Sequence, residues 1–162
     1  MPKLRILTAA AFCLAAASLM GCRSTPEDHM ERGRKRLAAR QYGHAAIEFA
    51  NVVKERPVDS EAWMLLAEAH MGNNSPQKAY AALGKAVDAD PRNTKALHRM
   101  AGLAAIAATD DLLPAMRERL IHAHGNAPAD AEACYLLSVI EFRLGNVEES
   151  VTRLEEALAR KP

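Results

Sequence analysis

The chain has 162 residues, a length that suits a single domain. Its 21 lysines and arginines almost balance its 20 aspartates and glutamates, so no basic excess is present to attract nucleic acid. Hydrophobic residues make up 49% of the chain and aromatic residues only 4%, so alanine, the best helix former, supplies much of the apolar content. No segment alternates apolar and polar residues as a half-buried strand does, and we therefore predict an all-α protein.

The first 22 residues differ from the rest of the chain. Lys3 and Arg5 precede an apolar run over residues 6–20. Because a membrane-spanning helix needs about 20 apolar residues, this shorter run after a basic start predicts a secretory signal peptide. A short N-terminal anchor helix is the alternative interpretation.

The apolar run ends in Leu19-Met20-Gly21-Cys22, which resembles the lipobox of bacterial lipoproteins. The resemblance implies a signal peptide at 1–21, a lipidated Cys22 carrying acyl chains such as palmitate, and attachment to a membrane. Two or more acyl chains hold a protein stably where one chain binds marginally. Arg23 stands where inner-membrane lipoproteins often carry aspartate, so we expect the periplasmic face of the outer membrane, with the inner membrane as the alternative.

Cleavage would leave Cys134 as the one cysteine besides Cys22 and would change the net charge to about −1. No disulfide can then form within a single mature chain. Cys134 falls on an apolar helical face beside Leu136 and Leu137, so we predict a buried structural thiol and not a nucleophile.

The remaining chain predicts a short tether, residues 22–25, followed by helices in pairs. The expected ranges are 26–39 and 43–55, 60–72 and 76–89, 94–108 and 111–124, and 130–144 and 147–160. Thr25 with Asp28 three residues later forms a capping-box pattern, and Ser75 and Asn146 precede two further helices as expected caps.

Prolines punctuate these pairs at a nearly constant interval. Pro57, Pro91, Pro128 and Pro162 follow one another in steps of 34, 37 and 34 residues. A period near 34 indicates a helix-turn-helix repeat array, with repeats at about 26–59, 60–93, 94–130 and 131–162. Such an array presents a binding surface and does not build a reaction centre.

The second repeat resembles the tetratricopeptide repeat closely. The matching positions are Trp63, Leu66, Ala67, Ala79, Leu83, Ala86 and Pro91. The resemblance covers about residues 26–162 and implies a right-handed α-solenoid of about four repeats. We expect small residues on the first helix of a pair to let the second helix lie close, and these are Gly33, Ala67 and Ser138. The small residues that face them on the second helix are Ala45, Ala79 and Ser150.

The third repeat departs from this pattern because it is three residues longer before Pro128. Leu97, Met100, Ala101 and Ala115 still fit, but Ala104–Ala108 extends the first helix and Pro114 enters the second. We expect a longer turn and a local change in the superhelix, with sequence drift without function as the alternative.

The chain also stops at a repeat-ending proline, without the polar capping helix that usually closes such arrays. We therefore expect the last pair to expose apolar surface around Val151, Leu154 and Leu158. Two explanations of this exposed surface remain: the chain is a truncated form of a longer array, or a partner or a second copy covers its end.

Motifs for catalysis or for metal and cofactor binding are missing from the sequence. His122 and His124 are two residues apart and point in different directions on a helix, and His29, His44, His70 and His98 fall on separate predicted helices. Acidic residues are spread over exposed helix faces, and no phosphate loop or nucleophile motif is present. We expect no metal, no cofactor and no enzymatic activity.

The tetratricopeptide resemblance places a concave groove on the first helix of each pair. The predicted partner-binding residues are Met30, Arg34, Met64, Glu68, Met71, His98, Arg99, Tyr135, Phe142 and Arg143, with Leu37, Ala105 and Val139 on the same face. Ordinary packing is the alternative role for Leu37, Val139 and Phe142. Methionine, aromatic and arginine side chains suit a peptide or helix with apolar anchors and some acidic character.

These features predict a membrane-anchored scaffold that binds an unidentified protein or peptide in the bacterial envelope. The chain resembles tetratricopeptide lipoproteins of exopolysaccharide (PEP-CTERM) or type IV pilus systems, which implies a role in assembly, secretion or export. The alternative is a structural subunit that self-associates, or caps a larger complex, through its last repeat.

Overall fold

The computed structural model describes residues 24–106, 110–124 and 130–160. Within these ranges the chain forms eight α-helices and no strand, which confirms the all-α prediction. The helices are α1 (Pro26–Ala38), α2 (Tyr42–Glu55), α3 (Ser60–Gly72), α4 (Pro76–Ala89), α5 (Thr94–Ile106), α6 (Leu113–His124), α7 (Ala131–Arg143) and α8 (Val147–Ala159), with a 3-10 turn at Asp110–Leu112 before α6.

The observed helix bounds agree with the predicted ranges to within two residues, apart from 107 and 108. Those two residues, the predicted signal peptide with Cys22 and Arg23, and the prolines at 128 and 162 lie outside the described residues. None of the helices in the described ranges is both long and apolar enough to cross a bilayer.

Each first helix of a pair starts at a side-chain cap. Thr25 and Asp28 form the predicted capping box, with the Thr25 amide donating to Asp28 Oδ2 at 2.8 Å. Asp59, Asn93 and Asp130 accept from the amides of Ala62, Ala96 and Ala133 at 2.9, 3.0 and 2.7 Å. These caps satisfy amides that have no partner inside the helix, and their positions repeat with the array.

The second helices of the pairs start differently: Ser75 and Asn146 stand at the predicted N-cap positions, but neither side chain makes a capping hydrogen bond. The Ser75 hydroxyl donates to the Asn73 carbonyl at 3.3 Å and makes no capping bond. The side-chain amide of Asn146 instead donates from Nδ2 to Glu141 Oε2 at 2.7 Å. This bond satisfies a buried carboxylate, which would be costly to leave without a donor.

Small residues set the spacing of the helix pairs, as predicted. A Cβ added at Gly33 would stand 2.6 Å from the Phe49 ring, so only glycine admits the ring of α2 against α1. Ala45 and Ala79 are fully buried, and Ala67 is 2% exposed. In the fourth pair the two small positions bond directly, with Ser150 Oγ donating to the Ser138 carbonyl at 2.9 Å.

The array is regular through α4, where each helix packs on the one before and the one after it. The third pair is different, because α5 packs against α7 about as extensively as against its own partner α6. The connection from Ile106 to Leu113 is also longer than the three-residue turns between α1 and α2 or α3 and α4. The predicted longer turn is confirmed, and the packing of the helices changes at this pair.

The predicted register of α6 is wrong. Ala115, expected at the close-contact position, is exposed, and the buried side chains of α6 are Leu113, Met116 and Leu120. The long connection separates α5 from α6, so no small residue is needed between them and larger side chains fill the space.

An ion pair then joins α6 to α7. Arg117 Nε donates to Glu141 Oε1 at 2.5 Å, and the Glu141 side chain is only 1% exposed. The hydrogen bond to Glu141 raises the pKa of Arg117, so the guanidinium stays charged at neutral pH. Arg117 and Asn146 together satisfy a carboxylate that burial alone would destabilise.

Candidate functional site

The first helices, α1, α3, α5 and α7, lie side by side and form one continuous surface, called here the first-helix face. Arg34 Nη2 on α1 donates to Glu61 Oε1 on α3 at 2.6 Å. Arg99 Nη1 on α5 donates to Glu68 Oε2 on α3 at 3.2 Å. These bonds join α1, α3 and α5, and α7 packs on α5. Two predicted groove arginines are thus held in cross-helix ion pairs that remain solvent-exposed.

The apolar members of the predicted groove divide into two groups. Met30 and Met64 are half-buried and pack against the core, and Met64 Sδ accepts from Asn93 Nδ2 at 3.1 Å. Met71, Tyr135 and Phe142 are exposed by 44%, 53% and 65%. The second group alone offers apolar side chains that a partner can cover.

An open pocket of about 420 Å³ lies between α3 and α5 on this face. Met71 and Leu103 supply apolar walls, and Glu68 and Arg99 stand at its edge. Gly102 on α5 also lines the pocket, and because glycine has no side chain it leaves this space open. The pocket can take one apolar side chain of a partner, with charged groups beside it to bond the partner's backbone or its charges.

Arg143 was predicted as a partner-binding residue, but its guanidinium is engaged within the chain. Nη1 donates to the carbonyls of Ala105 at 2.8 Å and Ala104 at 3.3 Å, and Nη2 pairs with Asp110. A cation at the carbonyl end of a helix satisfies acceptors and complements the helix dipole. Arg143 therefore holds the end of α5 and the following 3-10 turn against α7.

His98 also differs from the expectation, because it is 6% exposed and not open on the groove. Its Nε2 lies 2.9 Å from His124 Nε2, and its Nδ1 lies 3.2 Å from Glu132 Oε2. Asp130 Oδ2 lies 3.9 Å from His98 Nε2. These four side chains are called the histidine cluster; they come from α5, the end of α6 and the start of α7.

Burial lowers the pKa of His124, with the neighbouring His98 acting in the same direction and Asp130 opposing it. The imidazole is therefore neutral at pH 7 and has one nitrogen lone pair free to accept a proton or bind a cation. A second pocket, about 810 Å³, adjoins the cluster, and Lys95, Arg99 and Arg160 are among its lining residues.

Sequence reasoning missed this cluster because its members are far apart in the chain. One signal in the sequence could have revealed part of the cluster. Asn93 and Asp130 cap the starts of α5 and α7, which are neighbouring first helices, so a side chain in the first turns of α5 lies close to the start of α7. His124 joins them only through the shifted packing of α6, which no local pattern predicts.

Cys134 is fully buried and free, as predicted. Burial raises the pKa of its thiol, so the thiol stays protonated and unreactive at neutral pH.

The family of the chain follows from this repeated architecture. The family model of the tetratricopeptide repeat matches residues 28–94 and 113–162, well over half of the sequence, and the chain belongs to that family. The gap between the two matched segments, residues 95–112, covers most of α5 and the long connection after it. Tetratricopeptide-repeat proteins are generally non-enzymatic scaffolds. A comparison with curated protein sequences gave no match.

Several solved structures share the fold at low sequence identity. MamA from Desulfovibrio magneticus, starting at its residue 41, is 18% identical with a TM-score of 0.71, over 85% of this chain and 76% of that one. YrrB, described as a tetratricopeptide protein with an unusual peptide-binding site, is 18% identical with a TM-score of 0.72, over 99% and 80%. A thermophilic tetratricopeptide protein of Thermus thermophilus is 20% identical with a TM-score of 0.58, over 99% and 87%.

Proposed function

We propose that this chain is a lipid-anchored scaffold that binds a protein or peptide partner through the first-helix face, on the periplasmic side of the bacterial outer membrane. The observation that carries the proposal is the pocket between α3 and α5, with exposed Met71 beside the Glu68–Arg99 pair. The partner would contribute to assembly, secretion or exopolysaccharide export, the processes in which similar lipoproteins act.

A peptide is the ligand that suits this surface best. Phe142 on α7 is a further exposed apolar side chain, whereas Tyr135 lines a separate pocket of about 410 Å³ with Leu154 and Leu158 of α8. Apolar anchors in pockets, with exposed charges around them, are the usual basis of peptide affinity and orientation. The peptide-binding site named for YrrB supports the same kind of ligand for this array.

Site-specific photo-crosslinking tests the groove. A photoreactive amino acid at Met71 should give a discrete crosslinked product in envelope preparations. The control position is Ile47, which is 61% exposed on the second helix α2. Equal products from Met71 and Ile47, or products from Ile47 alone, would contradict a binding role for the first-helix face.

The lipid anchor is tested separately at Cys22. Cys22→Ser should release the protein from membranes, because the lipobox-like tetrapeptide then has no thiol to acylate. Cys13→Ser is the matched control, since it removes a cysteine from the same segment and leaves the lipobox-like tetrapeptide intact. Cys22→Ser protein that still sediments with membranes and needs detergent for extraction would refute the anchor.

Self-association is the second candidate function, and one observation favours it. Val151, Leu154 and Leu158 on α8 are exposed by 52%, 42% and 63% and form an apolar stripe. Light scattering over micromolar concentrations should then show dimers that Leu158→Glu abolishes. A monomer at every concentration would reject self-association and leave the groove proposal intact.

A further inference from the structure

The histidine cluster brings together three side chains that can each donate an atom to one cation. The Nε2 atoms of His98 and His124 and a carboxylate oxygen of Asp130 all lie within 4.8 Å of one another. The two ring centroids are 5.0 Å apart while the Nε2 atoms are 2.9 Å apart, so the rings meet through their Nε2 edges. Both donor nitrogens therefore point into the same small volume.

Glu132 orients one of these rings for ligation. Its Oε2 lies 3.2 Å from His98 Nδ1, which fixes the proton on Nδ1 and leaves the Nε2 lone pair available. Histidines that bind metals almost always donate their second ring nitrogen to a carboxylate, a carbonyl or water in this way.

Asp130 is positioned just as specifically. Its Oδ1 accepts the cap bond from the Ala133 amide at 2.7 Å, which holds the carboxylate at the start of α7. The same bond leaves Oδ2 facing His98 Nε2, 3.9 Å away. One oxygen serves the helix and the other is free for a cation.

We propose that His98, His124 and Asp130 bind one divalent transition-metal ion of the zinc type. Two imidazole nitrogens and one carboxylate are a common ligand set for zinc, whose bonds to nitrogen are about 2.0–2.1 Å. Ligand nitrogens in a tetrahedral site of that size stand ~3.3 Å apart, so the two rings need to separate by about half an ångström. The metal replaces the hydrogen bond between the two rings, and the proton of that bond leaves His124 Nε2 for its Nδ1, so that both Nε2 lone pairs face the ion.

The ion joins α5, α6 and α7, the helices of the irregular part of the array. Its fourth position faces the pocket of about 810 Å³, where Lys95 and Arg160 lie. Water or an anionic group of a partner can take that position. A bound ion would therefore hold the two helices of the third pair together. It would also offer a partner a metal-ligand bond on the first-helix face.

Titration of the full-length protein with Zn²⁺ tests the site. The protein should carry no histidine tag, be held in mild detergent and be stripped of metal with EDTA first. Calorimetry should show one Zn²⁺ per chain, and Co²⁺ should give the visible absorption of a low-coordinate site. Free Zn²⁺ at a hundred times Kd should raise the melting temperature by roughly 5–10 °C.

Variants separate ligation from folding. His124→Gln should abolish stoichiometric binding, and His122→Gln, two residues away on the exposed side of α6, should leave binding unchanged. Asp130→Asn keeps the helix cap, so the metal-free protein should melt as the parent does while Zn²⁺ affinity falls. Glu132→Gln should weaken binding by about 10–100-fold.

Two results would overturn the proposal. One is a parent protein that takes up no Zn²⁺ at stoichiometric levels, which would make the cluster a hydrogen-bonded packing contact only. The other is Zn²⁺ binding that survives in both His124→Gln and Asp130→Asn, which would place the ion elsewhere.

Discussion

The second and third helix pairs solve the same packing problem by different means. In the second pair, fully buried Ala79 and Ala86 on α4 let the helices approach closely, and apolar contact holds them together. In the third pair, α6 packs less extensively on α5, Ala115 is exposed, and an ion pair from Arg117 to Glu141 fastens α6 to the next pair. Small residues at two facing positions therefore define a regular repeat, and polar side chains take over where the connection is longer.

The largest effect is expected from the ion pair. Arg117→Met should lower the free energy of unfolding by about 3–5 kcal/mol, because it leaves the Glu141 carboxylate buried with Asn146 as its remaining donor. Glu141→Gln should cost less, since the Arg117 side chain is 32% exposed and can reach water. Urea denaturation followed by circular dichroism measures both.

Arg119→Met is the control for this pair. Arg119 is exposed on the same helix, so its replacement should change stability by no more than about 0.5 kcal/mol. If Arg117→Met costs no more than Arg119→Met, the ion pair does not hold α6 to α7.

An intermediate effect is expected from matched alanines in the two pairs. Ala79→Leu should cost roughly 1–3 kcal/mol by overpacking, because the residue is fully buried between α3 and α4. Ala115→Leu, at the corresponding place in α6, should be close to neutral because its side chain faces solvent. If thermal melts show the same drop in melting temperature for both variants, α6 has the regular register of the other second helices.

The smallest effects concern two helical glycines of the first pair, and they have opposite signs. Gly33→Ala should destabilise by about 1–2 kcal/mol net, since the new Cβ would stand 2.6 Å from Phe49. Gly43→Ala should stabilise by about 0.5–1 kcal/mol, because its nearest new contact is an ordinary 3.8 Å and alanine is the better helix former. The same sign for both variants would contradict the close approach of α1 and α2 at Gly33.

The candidate site was predictable only where regular packing governs it. The neighbouring first helices and the exposure of Met71, Tyr135 and Phe142 follow from the repeat register. The roles of Arg143 and His98 do not, because each is fixed by a contact to the end of another helix in the irregular pair. A periodic pattern cannot specify contacts that exist only where the period is broken.

By itself the sequence determined the helices, their pairing and the small residues between them, because capping and close packing depend on residues a fixed distance apart in the chain. Only the tertiary structure decided how α6 sits, which polar groups meet across the third pair, and that two histidines from different helices face one another. Those contacts depend on how far the long connection separates its two helices, and that separation is set by the packing of α5 and α6 against α7.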